Sequence, residues 1–419
     1  MNMSKTEWHL GEHAPIRCDD VEILIVGSGT MGALLAQTYA QNNVNVGLVG
    51  RREESIQRAF ALINRELEDA RTKGIFSATQ VAEIKNRILA TTSYEQACRG
   101  KCLKLALETA TEEIQIKKQI FQTLDKLCPS PVALATNTSC LDANVLARET
   151  RRPDKVVWMH YFFPPHKNRA GEYARLEETS SESIELAALF MKRARKVATP
   201  LLKYRKGGAA NVIFVALLLE AARMVDEKFD FAAVEAAGQK AFNLPQGFLS
   251  LMATIGISLA SPCLNSFSDA SNPSDSFYQV YDNFFTPPPS YRKMFEASPG
   301  GLGKSRLRWD SDADGHSKPH DWMLVDMLKN RFLAVAFMTA VELVDSGIIR
   351  LEEVDKLCQN AFGWQEGPFT LMNRIGILES MRLMTEKMEI SHRREINFPI
   401  PKLLIEQVQK NEPWPLMNL

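Results

Sequence analysis

The segment Val21-Glu22-Ile23-Leu24-Ile25-Val26, rich in β-branched residues, breaks directly into Gly27-Ser28-Gly29-Thr30-Met31-Gly32 and then into Ala33-Leu34-Leu35-Ala36 with helical spacing. That order predicts a strand, a glycine turn and a helix. Further apolar runs at 44–49, 87–90, 103–107, 132–135 and 156–159 predict strands, and charged amphipathic stretches at 53–73 and 113–127 predict helices between them. Strands alternating with helices imply a mostly parallel, doubly wound sheet covered on both faces.

After about Lys203 strand-like runs stop and long apolar helices take over. Residues 211–227 are apolar nearly all round, which requires neighbours on every side. An internal repeat suggests what they are. Asn211 matches Asn330 and Val225-Asp226 matches Val344-Asp345 at an offset of 119. At an offset of 120, Val234 matches Val354, Ala241-Phe242 matches Ala361-Phe362, and Gly247 matches Gly367. Leu251-Met252 then matches Leu371-Met372, and Ile255-Gly256-Ile257 matches Ile375-Gly376-Ile377. Two copies of one helical unit can pack their apolar faces together as the subunits of a symmetric dimer do. The expected organisation is an N-terminal extension (1–20), an α/β Rossmann domain (21–204) and two related all-α domains (205–265 and 321–419). Residues 266–320, rich in Ser, Pro, Gly and Asp, read as an irregular connection outside the core.

Composition removes several classes of function. Lys+Arg and Asp+Glu number 50 each, so no field of one sign draws in nucleic acid or an anionic membrane. Seven cysteines are scattered without a CxxC pair or a histidine at ligand spacing, which favours a reducing cytoplasm and no metal site. Residues 1–20 lack the apolar core of a signal peptide, and no run of about 18 apolar residues follows.

The glycine turn gains its meaning from its context. Gly27 can make the tight turn, Gly29 admits a pyrophosphate, and the N–H groups at Thr30, Met31 and Gly32 meet its charge, which predicts a dinucleotide site. Such sites usually place an Asp or Glu about 20 residues on, for the ribose hydroxyls. Here that place reads Gly50-Arg51-Arg52. Two guanidiniums suit a 2′-phosphate and favour NADP over NAD, whereas Glu53 or Glu54 could serve the ribose of NAD. Two strand ends carry the other candidates: Thr136-Asn137-Thr138-Ser139, and His160 in Trp158-Met159-His160-Tyr161-Phe162-Phe163-Pro164.

With these residues assembled, the chain resembles the L-3-hydroxyacyl-CoA dehydrogenase family over nearly its whole length. The matching motifs are Gly27–Gly32, Glu108-Thr109-Ala110-Thr111-Glu112 with Lys117, Thr136–Ser139, His160–Pro164, Leu176-Glu177 and Gly207-Gly208-Ala209-Ala210-Asn211. The doubled helical unit resembles that of the larger fatty acid oxidation proteins of the family. The resemblance implies hydride transfer between NAD(P) and a 3-hydroxyacyl or 3-oxoacyl thioester, carried on coenzyme A or an acyl carrier protein. It implies His160 as acid/base, a carboxylate beside it, Ser139 and Asn211 at the substrate oxygen, and Glu112 and Lys117 near the nicotinamide and ribose. Glu177 in its strand-like frame is the expected carboxylate, with Glu172 and Glu178 as alternatives. Individually, Ser139 and Asn211 could also be a serine turn and a helix cap.

Three departures stand out. Phe163 replaces an Asn, Gly-Arg-Arg replaces the ribose carboxylate, and residues 166–172 read as an inserted basic loop. The loop leaves open a free hydroxy acid as substrate, carnitine-like, with Lys167 or Arg169 on its carboxylate. A dinucleotide-binding sensor or scaffold without turnover is the non-enzyme alternative. The internal repeat points to a monomer or a weak homodimer.

Overall fold

The computed structural model describes residues 7–11, 16–255, 267, 283–291 and 321–416. It divides into two compact units, Met1–Tyr204 and Arg205–Leu419.

The first unit is a nine-stranded sheet with helices. Its strands are β1 (Glu7–His9), β2 (Ile23–Val26), β3 (Val46–Val49), β4 (Ile88–Thr91), β5 (Leu105–Glu108), β6 (Ala133–Thr136), β7 (Val156–Tyr161), β8 (Ala170–Arg175) and β9 (Val197–Pro200). Between them run α1 (Thr30–Ala40), α2 (Glu53–Thr72), α3 (Ala78–Asn86), α4 (Tyr94–Ala97), α5 (Ile114–Leu127), α6 (Ala143–Ala147) and α7 (Ser181–Arg193). The sheet order is β1-β4-β3-β2-β5-β6-β7-β8-β9. From β4 to β7 all pairings are parallel, and every residue of β2 to β7 is buried, as a sheet covered on both faces requires. The six expected strands are all present, with ends displaced by at most two residues.

Three strands were not expected. β1 lies inside the segment read as an extension and pairs antiparallel with β4. β8 occupies part of the segment read as an inserted loop; it runs antiparallel to β7 and parallel to β9. Ala170-Gly171-Glu172-Tyr173-Ala174-Arg175 is a weak strand signal, with a glycine and two charges, and it forms because a neighbour on each side, the buried β7 and the half-buried β9, supplies its hydrogen bonds. Where β2 stands between β3 and β5 the chain reverses its direction of travel across the sheet, and ligands of open α/β sheets bind at such a reversal, beyond the strand C-termini.

The second unit contains α8 (Ala210–Asp226), α9 (Phe231–Phe242), α10 (Phe248–Ile255), α11 (Trp322–Asp345), α12 (Leu351–Phe362), α13 (Pro368–Ile375), α14 (Ile377–His392) and α15 (Lys402–Lys410). The helix ends repeat as the sequence does: α8 and α11 end 119 residues apart, while α9 and α12, and α10 and α13, end 120 apart. The contacts repeat too. Glu235 of α9 accepts from Leu249 N (2.8 Å) and Ser250 N (3.2 Å) at the start of α10. Asp355 of α12 accepts from Phe369 N (2.9 Å) and Thr370 N (2.8 Å) at the start of α13. Gly247 and Gly367 let the two chains approach: a Cβ there would lie 2.6 Å from Glu235 O and 2.3 Å from Asp355 Cα. The copies pack on each other through α11 against α8 and α9, and Phe242 of one copy stacks on Trp364 of the other at 3.9 Å.

Most of the expected irregular connection lies outside the described residues. Its described part corrects the reading that it stays outside the core, since Phe267, Phe284, Phe285 and Tyr291 are buried.

One charged cluster sits inside this unit. Glu220 of α8 is fully buried; it accepts from Arg331 Nε (2.8 Å) and is ion-paired with Lys387 Nζ (2.9 Å), while Arg331 also reaches Glu227. Burial alone would push the Glu220 carboxyl up; Arg331, Lys387 and Arg223 outweigh it and hold it at about 2. A folded-state value below the unfolded one gives stability that is present above about 4.5 and lost as pH falls towards 2. Glu220→Gln strands buried cations without a counter-charge. It is expected to cost roughly 3–5 kcal/mol in urea unfolding and to flatten the pH dependence over that window.

Candidate active site

The parallel register sets the C-terminal strand ends side by side: Val26 opposite Glu108, Glu108 opposite Thr136, and Thr136 opposite Trp158. Everything that follows is hung from this row.

At its β2 end, Gly27 has φ +116°, and its N–H donates to Val49 O at 2.9 Å. A Cβ on Gly32 would lie 1.7 Å from Gly27 O, so only glycine lets α1 start against the turn. A Cβ on Gly29 would meet no protein atom within 4 Å, and no side chain caps the start of α1. An open approach and uncapped N–H groups at Thr30 and Met31 fit a pyrophosphate.

At the end of β3, the place of a ribose carboxylate is closed as well as unfilled. A Cβ on Gly50 would lie 2.7 Å from Ser28 Oγ and 3.0 Å from Ser55 Oγ, two hydroxyls that bridge at 2.8 Å. Arg51 and Arg52 beside them are exposed, and so are Glu53 and Glu54 at the start of α2.

Glu108, at the end of β5, is wholly buried. Burial pushes its carboxyl up, against the Lys117 ammonium and hydrogen bonds from Thr136 and Ala110 N. Lys117 Nζ lies 2.7 and 2.9 Å from the two Glu108 oxygens and 3.3 Å from Ala110 O. Lys117, expected to meet the cofactor, is itself buried at 1% exposure, so its donors serve the strand end beneath the turn. Glu112 is its partly exposed neighbour at 3.6 Å.

From Glu112 a continuous chain of hydrogen bonds leads to the histidine. Glu112 accepts from Thr138 Oγ1 (2.8 Å) and Ser139 N (2.6 Å). Ser139 Oγ is 3.1 Å from His160 Nε2, and His160 Nδ1 is 3.3 Å from Glu172 Oε2. His160 is 3% exposed and Glu172 is fully buried. The expected carboxylate, Glu177, is not there. It lies beyond the end of β8, its side chain 60% exposed and paired with Arg148 at 2.7 Å, and Glu178 is exposed too. The reason is register: β7 and β8 are antiparallel with His160 directly opposite Glu172, so the carboxylate arrives across the hairpin from a segment read as a loop. Lys167 pairs with Glu66 at 2.8 Å and stays half exposed.

Asn211 is the second residue of α8 in the second unit. It does not cap that helix: the N-cap is Ala209, preceded by Gly207 and Gly208 at positive φ.

Two matches decide the family. The 3-hydroxyacyl-CoA dehydrogenase NAD binding domain matches residues 22–203, and the C-terminal domain of that family matches twice, at 207–305 and 327–412. The chain belongs to the 3-hydroxyacyl-CoA dehydrogenase family. It is an oxidoreductase of that type with an NAD-binding Rossmann domain. A 3-hydroxybutyryl-CoA dehydrogenase of Clostridioides difficile is 31% identical over 246 residues, 58% of this chain and 86% of the relative. A probable 3-hydroxybutyryl-CoA dehydrogenase of Bacillus subtilis is 28% identical over 288 residues, 68% of this chain and 95% of the relative. The crystal structure of the 3-hydroxybutyryl-CoA dehydrogenase of Escherichia coli K12 shares the fold with a TM-score of 0.77 at 18% identity, covering 93% of this chain and 98% of that one. Among the described residues no helix is long and apolar enough to cross a membrane, and no group of three or more His, Cys, Asp or Glu could hold a metal.

Removing Lys117 leaves the Glu108 carboxyl buried without its cation. Lys117→Met is expected to cost the first unit roughly 3–5 kcal/mol, read by urea unfolding.

Proposed function

We propose that the protein interconverts a 3-hydroxyacyl and a 3-oxoacyl thioester, with His160 as the acid/base. The observation that supports this most is the chain Ser139–His160–Glu172, in which each ring nitrogen is met by a polar group, Nε2 by Ser139 and Nδ1 by Glu172. The nicotinamide, when bound, supplies or accepts the hydride at the carbon bearing the oxygen. His160 Nε2 takes the hydroxyl proton as the alcohol is oxidised and returns it in the reverse direction. Glu172 fixes the Nδ1–H tautomer and balances the charge that forms on the ring, as an orienting carboxylate does for a histidine base. Ser139 Oγ hands the substrate oxygen to the ring, and Glu112 holds Ser139 through its backbone N–H. Lys117 serves the cofactor side through Glu108 and the Ala110 carbonyl. Asn211 is the second donor to the substrate oxygen in this reading. The thioester is a coenzyme A ester, as the relatives' names indicate for those proteins, and an acyl carrier protein thioester is the variant to test beside it. Both helical copies being in one chain supports a monomer.

The cofactor proposed is NADP rather than NAD. With Gly50 closed by the Ser28–Ser55 bridge, no carboxylate stands at the end of β3 itself, and Arg51 and Arg52 stand exposed beside it.

Acetoacetyl-CoA reduction, followed by nucleotide absorbance, tests the first reading. His160→Gln and Glu172→Gln should each lower kcat by roughly 10²–10⁴-fold, and Glu177→Gln should stay within about twofold. Full turnover in Glu172→Gln would remove the carboxylate from the mechanism. Nucleotide binding without turnover on any thioester or free hydroxy acid would favour a sensor. Arg51→Ala combined with Arg52→Ala should raise the KM for NADPH roughly 10–100-fold while sparing NADH, in line with the loss of charge-assisted hydrogen bonds. An unchanged ratio would return the preference to NAD.

A further inference from the structure

One buried aromatic beside the site has no part in the mechanism above. Trp158 precedes His160 by two residues on β7, so both side chains stand on the same face of the sheet. The indole lies almost parallel to the imidazole, 12° between planes and 5.4 Å between centroids. Its freedom is small. Trp158 is fully buried, its Nε1–H donates to Thr138 O at 2.9 Å, and the Tyr204 ring meets it edge-on at 5.8 Å. Thr138 is the residue before Ser139, so one indole both faces the histidine ring and holds the backbone that presents Ser139 Oγ to it. Phe162, two residues after His160 and just past the end of β7, meets the imidazole edge-on at 4.7 Å.

We infer that Trp158 is a positioning residue for His160, fixing the plane of the ring and stabilising the imidazolium through its π face. The inference rests on His160 being the acid/base. A cation within about 6 Å of an indole face is attracted by the ring quadrupole, more strongly when water is excluded. Both conditions hold here, since the two rings are buried. An aliphatic side chain could fill the volume, but it would neither attract the charge nor take up the Thr138 carbonyl. Trp158 thus acts on one protonation state more than the other, which a packing residue does not.

The other groups facing the ring are few among the described residues. Glu172 approaches from β8, Ser139 from the segment after β6 with Glu112 behind it, and Phe162 from just past the end of β7. Glu172 is the charged one in contact, and it stays in place in the test.

The experiment compares wild type with Trp158→Phe, Trp158→Leu and His160→Gln, reading the pH profile of kcat/KM for oxidation of a 3-hydroxybutyryl thioester. Loss of the indole should move the acidic limb to lower pH by roughly 0.4–1.5 units in Trp158→Leu, and by less than half of that in Trp158→Phe, which keeps a π face. An unmoved limb in Trp158→Leu, with His160→Gln inactive, overturns the inference. A fully active His160→Gln overturns the reading beneath it instead. A substrate-free measurement keeps the two apart and covers a Trp158→Leu chain that does not fold. Protonated imidazole quenches a stacked indole, so the fluorescence difference between wild type and Trp158→Phe should titrate on acidification, and the titration should vanish when His160→Gln is added to both. A pH-independent difference overturns the stack.

Discussion

The site depends on strand register more than on any one side chain. In a parallel sheet each strand end is placed relative to its neighbour by hydrogen bonds along the whole strand, and a slip of one residue would turn every side chain to the other face. Because Val26, Glu108, Thr136 and Trp158 stand in one row, the next residues of each strand reach the same edge: the glycine turn from β2, Glu112 from beyond β5, Ser139 from beyond β6 and His160 from β7. The buried Glu108–Lys117 pair reinforces this row from below. It takes donors from two strand ends and one helix into a single knot, and the low-dielectric setting that makes it costly also makes it intolerant of misalignment.

The parallel strands were legible because buried strands are written as short apolar runs, and the glycine turn because sterics leave it few alternatives. The helical duplication was legible from matched residues alone, and the repeated carboxylate caps at Glu235 and Asp355 show why residues such as Gly247 and Gly367 recur. His160, Ser139 and Glu112 were found through motifs at strand ends and do form one hydrogen-bonded chain.

What the sequence hid is non-local. Glu172 faces His160 only because β8 folds back on β7, and β8 owes its existence to neighbours on either side rather than to its own composition. A frame argument that favours Glu177 fails for that reason: it weighs each residue by its local pattern, while the pairing across a hairpin is fixed by the partner strand. The Ser28–Ser55 bridge that closes Gly50, and the indole on the imidazole, are likewise contacts between segments that periodicity cannot join.

The charged knot around Glu220 has a consequence for the history of the doubled helical unit. Glu220 lies in the first copy, whereas Arg331 and Lys387 lie in the second, and the positions that the repeat pairs with Glu220 and Arg331 are Thr339 and Val212. The two halves therefore no longer resemble interchangeable protomers. Separated into two chains, the first copy would keep only Arg223 beside Glu220, and the second would hold Arg331 and Lys387 without the carboxylate they share.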